Sequence, residues 1–375
     1  MSVFKKLKLK NYMMIIALIG IWIIFEILTG GYFLTPRNIS NLFRQSIFVS
    51  LLAIGMVWVI VLGHIDLSVG AIVGLSGGIL GILDVWYNFN PILSFIIVIL
   101  LGAVFGLWNG YWVAYRDIPA FIVTLGGLLI FRGILIGITR GTTIGPLSDF
   151  YEAIGKGYVN KTLGLVLGII ASIILVILEM RAWKRRKKYN LKALSLKLEI
   201  LKLTVYISLI MAFVLILNSY RGIPIFSLVM IALLLVFIYI SKYTVFGRYI
   251  YASGGNKEAA IISGINVKKI TFIVFIINGI MAALAGIFLT SRLDAASVAS
   301  GNGAELDAIA ACVIGGTSLM GGIGNVFGAV IGAIVMSSLD NGMSLMNVPM
   351  FWQSIIKGLV LIFAVWFDIA SKKRD

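Results

Sequence analysis

The chain has 375 residues, 60% hydrophobic and only 12% charged, with 31 lysines and arginines against 15 aspartates and glutamates for a net charge of +16. A soluble domain keeps roughly a quarter of its residues charged, so this composition excludes a soluble globular protein and points to a bilayer. The basic residues gather at the termini and in a few polar joints rather than on one face, which argues against nucleic acid and for sorting of positive charge to one side of a membrane.

Crossing the hydrocarbon takes about 20 apolar residues per helix. Apolar runs near 12–29, 46–63, 69–87, 92–115, 119–139, 163–180, 203–219, 223–241, 270–290, 306–320, 325–340 and 351–369 therefore predict an all-α polytopic protein, a single transmembrane domain over 1–375 with about twelve spans. The first run follows a basic start (Lys5, Lys6, Lys8, Lys10) as a signal peptide would, but it is long and has no small-residue cleavage site, so it reads as a retained span. The N-terminus, the 181–202 joint, the 247–269 joint and the 371–375 tail are all basic. Twelve spans place all four, and so both termini, on the cytoplasmic side.

Three glycine ladders follow in chain order: Gly70, Gly74, Gly78; Gly102, Gly106, Gly110; and Gly324, Gly328, Gly332. Glycines spaced by four make a smooth face for close helix approach. The first and third each follow a small-and-polar break, GHIDLSV and GGTSLMGGI, a weak repeat of two halves with interrupted helices such as transporters use to build a pathway. In the first break Asp66 precedes a helical run, so it either caps that helix or meets a substrate. Lone His64 reads as a packing residue. The 181–202 joint carries nine basic residues against Glu199, with leucines at about helical spacing, and reads as a segment lying on anionic lipid headgroups.

The 247–269 joint is built for a short exposed helix. Asn256 is placed to cap it, Glu258 sits where the dipole favours an anion, and Gly264 supplies the left-handed residue that ends it. A helix this short is marginal alone and needs a partner. Cys312, the single cysteine, lies in an apolar run and reads as a buried packing residue.

Several chemistries are absent. One histidine excludes paired-histidine metal sites, no phosphate-binding GxxxxGK[ST] loop occurs, and neither a nucleophile-base pair nor a metal set is present, so no catalytic residue, metal or cofactor is assigned. Most acids fall in joints or at helix ends, which disfavours a proton relay. A neutral, hydroxyl-rich substrate needs amides, hydroxyls and tryptophans along its path. Asp66, Trp58, Trp108, Asn109, Asn278, Asn341 and Gln353 are candidates for that lining, and each is equally able to bond a neighbouring helix.

The run Gly254, Gly255, Asn256 followed by Glu258, Ala259, Ala260, Gly264 and Asn266, in EAAIISGINV, resembles the coupling loop of membrane subunits from bacterial ATP-binding-cassette (ABC) sugar importers of the ribose and xylose type. The resemblance continues through AIGM (53–56), IDLSVG (65–70), NGYWVAYR (109–116), FIVTLGGLLIFRGILIGIT (121–139), ELDAIAACVIGGTSLMGG (305–322) and SLDNGMSLMNVPMFWQ (338–353). His64 departs from it beside an intact IDLSVG, and the basic joint matches poorly. Spans 163–180 and 203–219 resemble an extra pair added to a ten-helix permease core, which favours the xylose-type members.

That resemblance implies a permease in a bacterial plasma membrane, present as a homodimer and moving a monosaccharide inward by alternating access. It further implies two ABC ATPase subunits that bind the ATP and magnesium, and an extracytoplasmic sugar-binding protein that supplies most specificity. The alternatives are the same machinery with another sugar or a nucleoside as cargo, or an ion-coupled secondary transporter or channel working without an ATPase.

Overall fold

A computed structural model describes residues 9–191 and 194–372. Lys5, Lys6, Lys8, Lys192 and the 373–375 end of the basic tail lie outside the described residues. The described chain is all helix and connecting loop: α1 (Leu9–Leu28), α2 (Pro36–Val61), α3 (Val69–Gly81, continued by a π-helical turn Ile82–Trp86), α4 (Pro91–Tyr115), α5 (Ala120–Thr139), α6 (Asp149–Lys156), α7 (Lys161–Lys188) and α8 (Leu196–Tyr220). Then come α9 (Ile225–Tyr243), α10 (Val245–Gly255), α11 (Lys257–Ile262), α12 (Val267–Leu293), α13 (Ala304–Ile314), α14 (Val326–Leu345) and α15 (Met350–Lys372).

Nine helices among the described residues are long and apolar enough to cross a membrane, against about twelve expected. Two more runs, Met14–Leu28 and Met350–Trp366, form shorter apolar helices. The run expected to span 306–320 instead ends at Ile314, giving an 11-residue α13 that is too short to cross. Gly315 stops it by packing against Gly328 of α14, and Gly316, Gly321 and Gly322 then take left-handed backbone. The interruptions expected in the sequence are present, since residues 62–68 and 315–325 carry no helix.

Helix α2 starts ten residues earlier than its apolar stretch because Pro36 suits a first-turn position, where its missing N–H costs nothing. Much of the expected 181–202 joint is likewise helical, as the ends of α7 and α8. There Lys202 pairs with Glu179 at 2.8 Å and Glu199 at 2.6 Å, and the Trp183 indole donates to the Leu194 carbonyl at 2.9 Å.

Helix α12 is the packing axis, touching α2, α3, α4 and α6. Its closest partner is α4, where Gly102, Gly106 and Gly110 lie on Gly279, Phe275 and Phe272. A Cβ on Gly106 would fall onto the Phe275 carbonyl, and one on Gly279 would fall onto that of Gly102. Glycine on both helices lets the backbones touch, the geometry that small residues permit between helices in lipid. The third ladder does the same for α14, with Gly328 on Gly315 and Gly332 on Ala311 of α13. Replacing Gly106 by alanine should therefore force α4 off α12 and destabilise the purified protein by about 1–3 kcal/mol. Thermal unfolding in detergent measures this, and an unchanged midpoint would contradict the contact.

Candidate coupling loop and buried polar network

The 247–269 segment forms two short helices and leads into a third. Helix α10 is capped by Thr244, whose hydroxyl accepts from the Gly247 amide at 3.1 Å, and it docks through Gly254. A Cβ on Gly254 would fall onto the Val61 carbonyl at the end of α2, the same oxygen that accepts from the Gly322 amide at 2.8 Å. The last turn of α10 thus touches the start of one break and the middle of the other. Gly255 follows with open space where a side chain would stand.

Asn256 turns the chain and caps α11, its Oδ1 accepting from the Ala259 amide at 2.9 Å, while Glu258 is exposed in the first turn. Ala260 is buried and anchors the inner side. Gly264 ends the helix at φ +81°, and Asn266 caps α12 by accepting from Lys269 at 3.0 Å. Glycine tolerates that left-handed backbone without a Cβ clash. The local geometry of cap and stop is as the residue types imply. What the sequence reading passed over is the tip: Ile262 is 87% exposed and Ile261 54%, an apolar knob with nothing on it. At the same end Lys268 donates to Asp117 in the α4–α5 joint at 2.8 Å, which holds the Asp117 carboxyl below its ordinary range.

The polar candidates fall into separate groups. Asp66, Asn109 and Asn278 meet in one buried network. Asp66 accepts through Oδ1 from the Ser68 amide at 2.9 Å and the Ser68 hydroxyl at 2.6 Å, and through Oδ2 from the Asn278 amide at 2.9 Å. The Ser68 oxygen in turn accepts from Asn109 at 2.7 Å. Helices α4 and α12 are thereby tied to the break between α2 and α3. Thr124 of α5 completes the tie, accepting from the Leu67 amide at 3.1 Å. Asn278 lies about 16 Å along α12 from Val267, so this network sits deep in the helical bundle.

Asn341 belongs elsewhere, accepting from Asn38 at 2.8 Å and donating to Gln45 at 3.4 Å between α14 and α2. Trp58 is fully buried, stacked on Phe237 at 4.3 Å with its indole donating to Ser241. Trp108 faces outward beside Trp112, and Gln353 donates to the Val348 carbonyl at the start of α15. Cys312 is buried with Sγ 3.4 Å from the Ala53 carbonyl. Among the described residues no group of three or more His, Cys, Asp or Glu is placed to hold a metal ion.

Two charged sets escaped the sequence reading. Lys357 of α15 bridges Asp307 of α13 at 3.2 Å and Asp340 of α14 at 3.3 Å. Arg132 of α5 donates to the carbonyls of Val298 at 2.7 Å and Ser300 at 3.1 Å, and Glu305 packs onto Gly70 at the start of α3. The available signal was an ionisable residue inside an apolar run.

Fold and site together define a polytopic α-helical permease with a short capped helix displayed at one end. Residues 38–365 match the family described as branched-chain amino acid transport system / permease component, and the chain belongs to that family. It is 49% identical over 370 residues to the xylose transport system permease protein XylH of Haemophilus influenzae, covering 99% of both chains. It is 48% identical to XylH of Escherichia coli K12 over 99% of this chain and 94% of that one. The ribose import permease protein RbsC of Haemophilus influenzae is 35% identical over 96% of this chain and 93% of its own. No solved structure matches.

Removing the carboxylate by Asp66→Ala strands the Ser68 and Asn278 donors in a dry interior. An unsatisfied buried donor costs about 1–3 kcal/mol, so the purified variant should unfold at a distinctly lower temperature, and an equal midpoint would show that the network carries no stability.

Proposed function

We propose that this chain is the membrane permease subunit of an ATP-driven importer that carries a monosaccharide, xylose, into the bacterial cytoplasm. The observation that carries the cargo is the 49% identity to a xylose transport permease along essentially the whole of both chains, against 35% to a ribose permease. On this reading the chain crosses the membrane about twelve times, one crossing being made by the 294–303 loop and the short α13 together, with both termini and the 247–269 loop in the cytoplasm. It works as a homodimer with a pair of ATPase subunits that bind ATP and magnesium, and it receives sugar from an extracytoplasmic binding protein. The basic joint at 181–202 lies on anionic headgroups, which its nine arginines and lysines against the single Glu199 favour.

The geometry supports a lever. A rigid apolar knob at Ile261 and Ile262, held on two capped helix ends, fits a groove in a partner as helix-in-groove recognition requires. Closure of the ATPase pair pushes this knob. The push passes through Gly254 to Val61, at the start of one break, and to Gly322, within the other, and along α12 to Asn278 and Asp66. The breaks then shift as units, and access alternates between the two faces of the membrane.

Replacing the exposed Ile262 by aspartate leaves the fold unburdened and puts a charge where the apolar groove must close. The variant should reach the membrane normally, yet xylose uptake should fall at least about tenfold, as burying an unpaired charge at an interface costs more than 1.4 kcal/mol. Replacing Glu258 and Gly264 together should act in the same direction by removing the first-turn anion and the helix stop. Normal uptake by both variants would overturn the coupling role. Xylose accumulation driven by this chain alone in proteoliposomes would establish an ATPase-independent carrier instead.

A further inference from the structure

Helices α3 and α13 both begin in the interior of the bundle, and they begin against each other. A Cβ on Gly70, in the first turn of α3, would fall onto the Glu305 carboxylate and the Gly301 carbonyl, both at the start of α13. The level of this junction follows from α12. Gly286 packs on Val73 and Ser76, and Gly70 lies one turn nearer the α11 end, close to halfway along the roughly 40 Å of α12.

Polar groups collect there. Arg132 reaches in from α5 to the Val298 and Ser300 carbonyls and lies within electrostatic reach of Glu305. The Ser300 hydroxyl is buried and without a hydrogen-bond partner. Beyond these, Asn302 is exposed and makes no side-chain hydrogen bond among the described residues, Glu305 is only half-buried, and Leu306 is 49% exposed. An open amide and a half-open carboxylate at this depth are costly against lipid tails and occur where a membrane protein meets water or protein.

We propose that the α13 face bearing Asn302, Glu305 and Leu306 lines the aqueous pathway and receives the sugar, with Glu305 and Asn302 hydrogen-bonding its hydroxyls and Leu306 resting on its apolar ring face. A glutamate carboxyl accepts from neighbouring hydroxyls, and an asparagine amide both donates and accepts. None of these three residues figured among the lining candidates read from the sequence. The inference rests on the sugar-permease reading, and its test separates the two.

The native thiol, Cys312, is buried, so single cysteines can be placed on a silent background. In vesicles holding the complete complex, Asn302→Cys and Leu306→Cys are treated with a charged, membrane-impermeant methanethiosulfonate, with Ile173→Cys on the exposed face of α7 as the lipid reference. The 302 and 306 thiols should react at least about tenfold faster than the 173 thiol, because only a water-lined position admits a charged reagent. Xylose delivered with its binding protein should slow that reaction. Labelling of 302 and 306 no faster than 173 in every nucleotide state, while a permeant reagent modifies them, would overturn the proposal, as would labelling that xylose leaves unslowed in vesicles that accumulate it. Absence of xylose uptake by the unmodified complex would overturn the cargo reading instead.

Discussion

Interrupting helices in the interior of a membrane protein frees backbone amides and carbonyls that lipid cannot satisfy, and this constraint shapes the whole molecule. In the break at 62–68 the Leu67 amide is met by Thr124 and the Ser68 amide by Asp66, and Asn278 and Asn109 in turn hold the side chains of Asp66 and Ser68. The loop before α13 is answered by Arg132, whose guanidinium takes two carbonyls. Each break is thus a rigid polar joint inside an apolar bundle. Glycine makes the joints reachable, since the α4–α12 contact and the seat of α3 on α13 both close only where no Cβ stands between the backbones.

The same arrangement connects the displayed end to the interior. Helix α11 is too short to be stable alone, and it is fixed by Asn256 and Asn266 at its two flanks. Asn266 also begins α12, so the knob and the helix that grips Asp66 follow one another directly in the chain. A second connection runs through Gly254 onto the Val61 carbonyl, where the end of α2 and the 315–325 break meet. Under the proposed coupling role, the knob has two short contact routes to the interruptions.

Much of this was legible in the residues. The cap and stop of α11 followed from Asn256 and Gly264, and the ladders at 102–110 and 324–332 lie in the close contacts that their spacing implies. The interruptions at 62–68 and 315–325 were visible as small, polar runs. The reading failed where tertiary context decides. Hydropathy made 306–320 look like a span because Cys312, Val313 and Ile314 are apolar, yet the chain turns at Gly315 onto Gly328. Asp66, Asn109 and Asn278 were each singled out, but they share one network only through bonds spanning 41 residues (Ser68 to Asn109) and 212 residues (Asp66 to Asn278). Glu305 looked like a residue in a joint, since only the fold shows that its joint lies in the interior.

In the proposed coupling, force from the ATPase side reaches the pathway through the Asn278–Asp66 bond. The ratio of xylose moved to ATP hydrolysed by the reconstituted complex tests it most directly, compared between the unmodified permease and Asn278→Ala. The variant should still assemble and hydrolyse ATP while the ratio falls, because α12 no longer grips the break. An unchanged ratio in a correctly folded variant would contradict it.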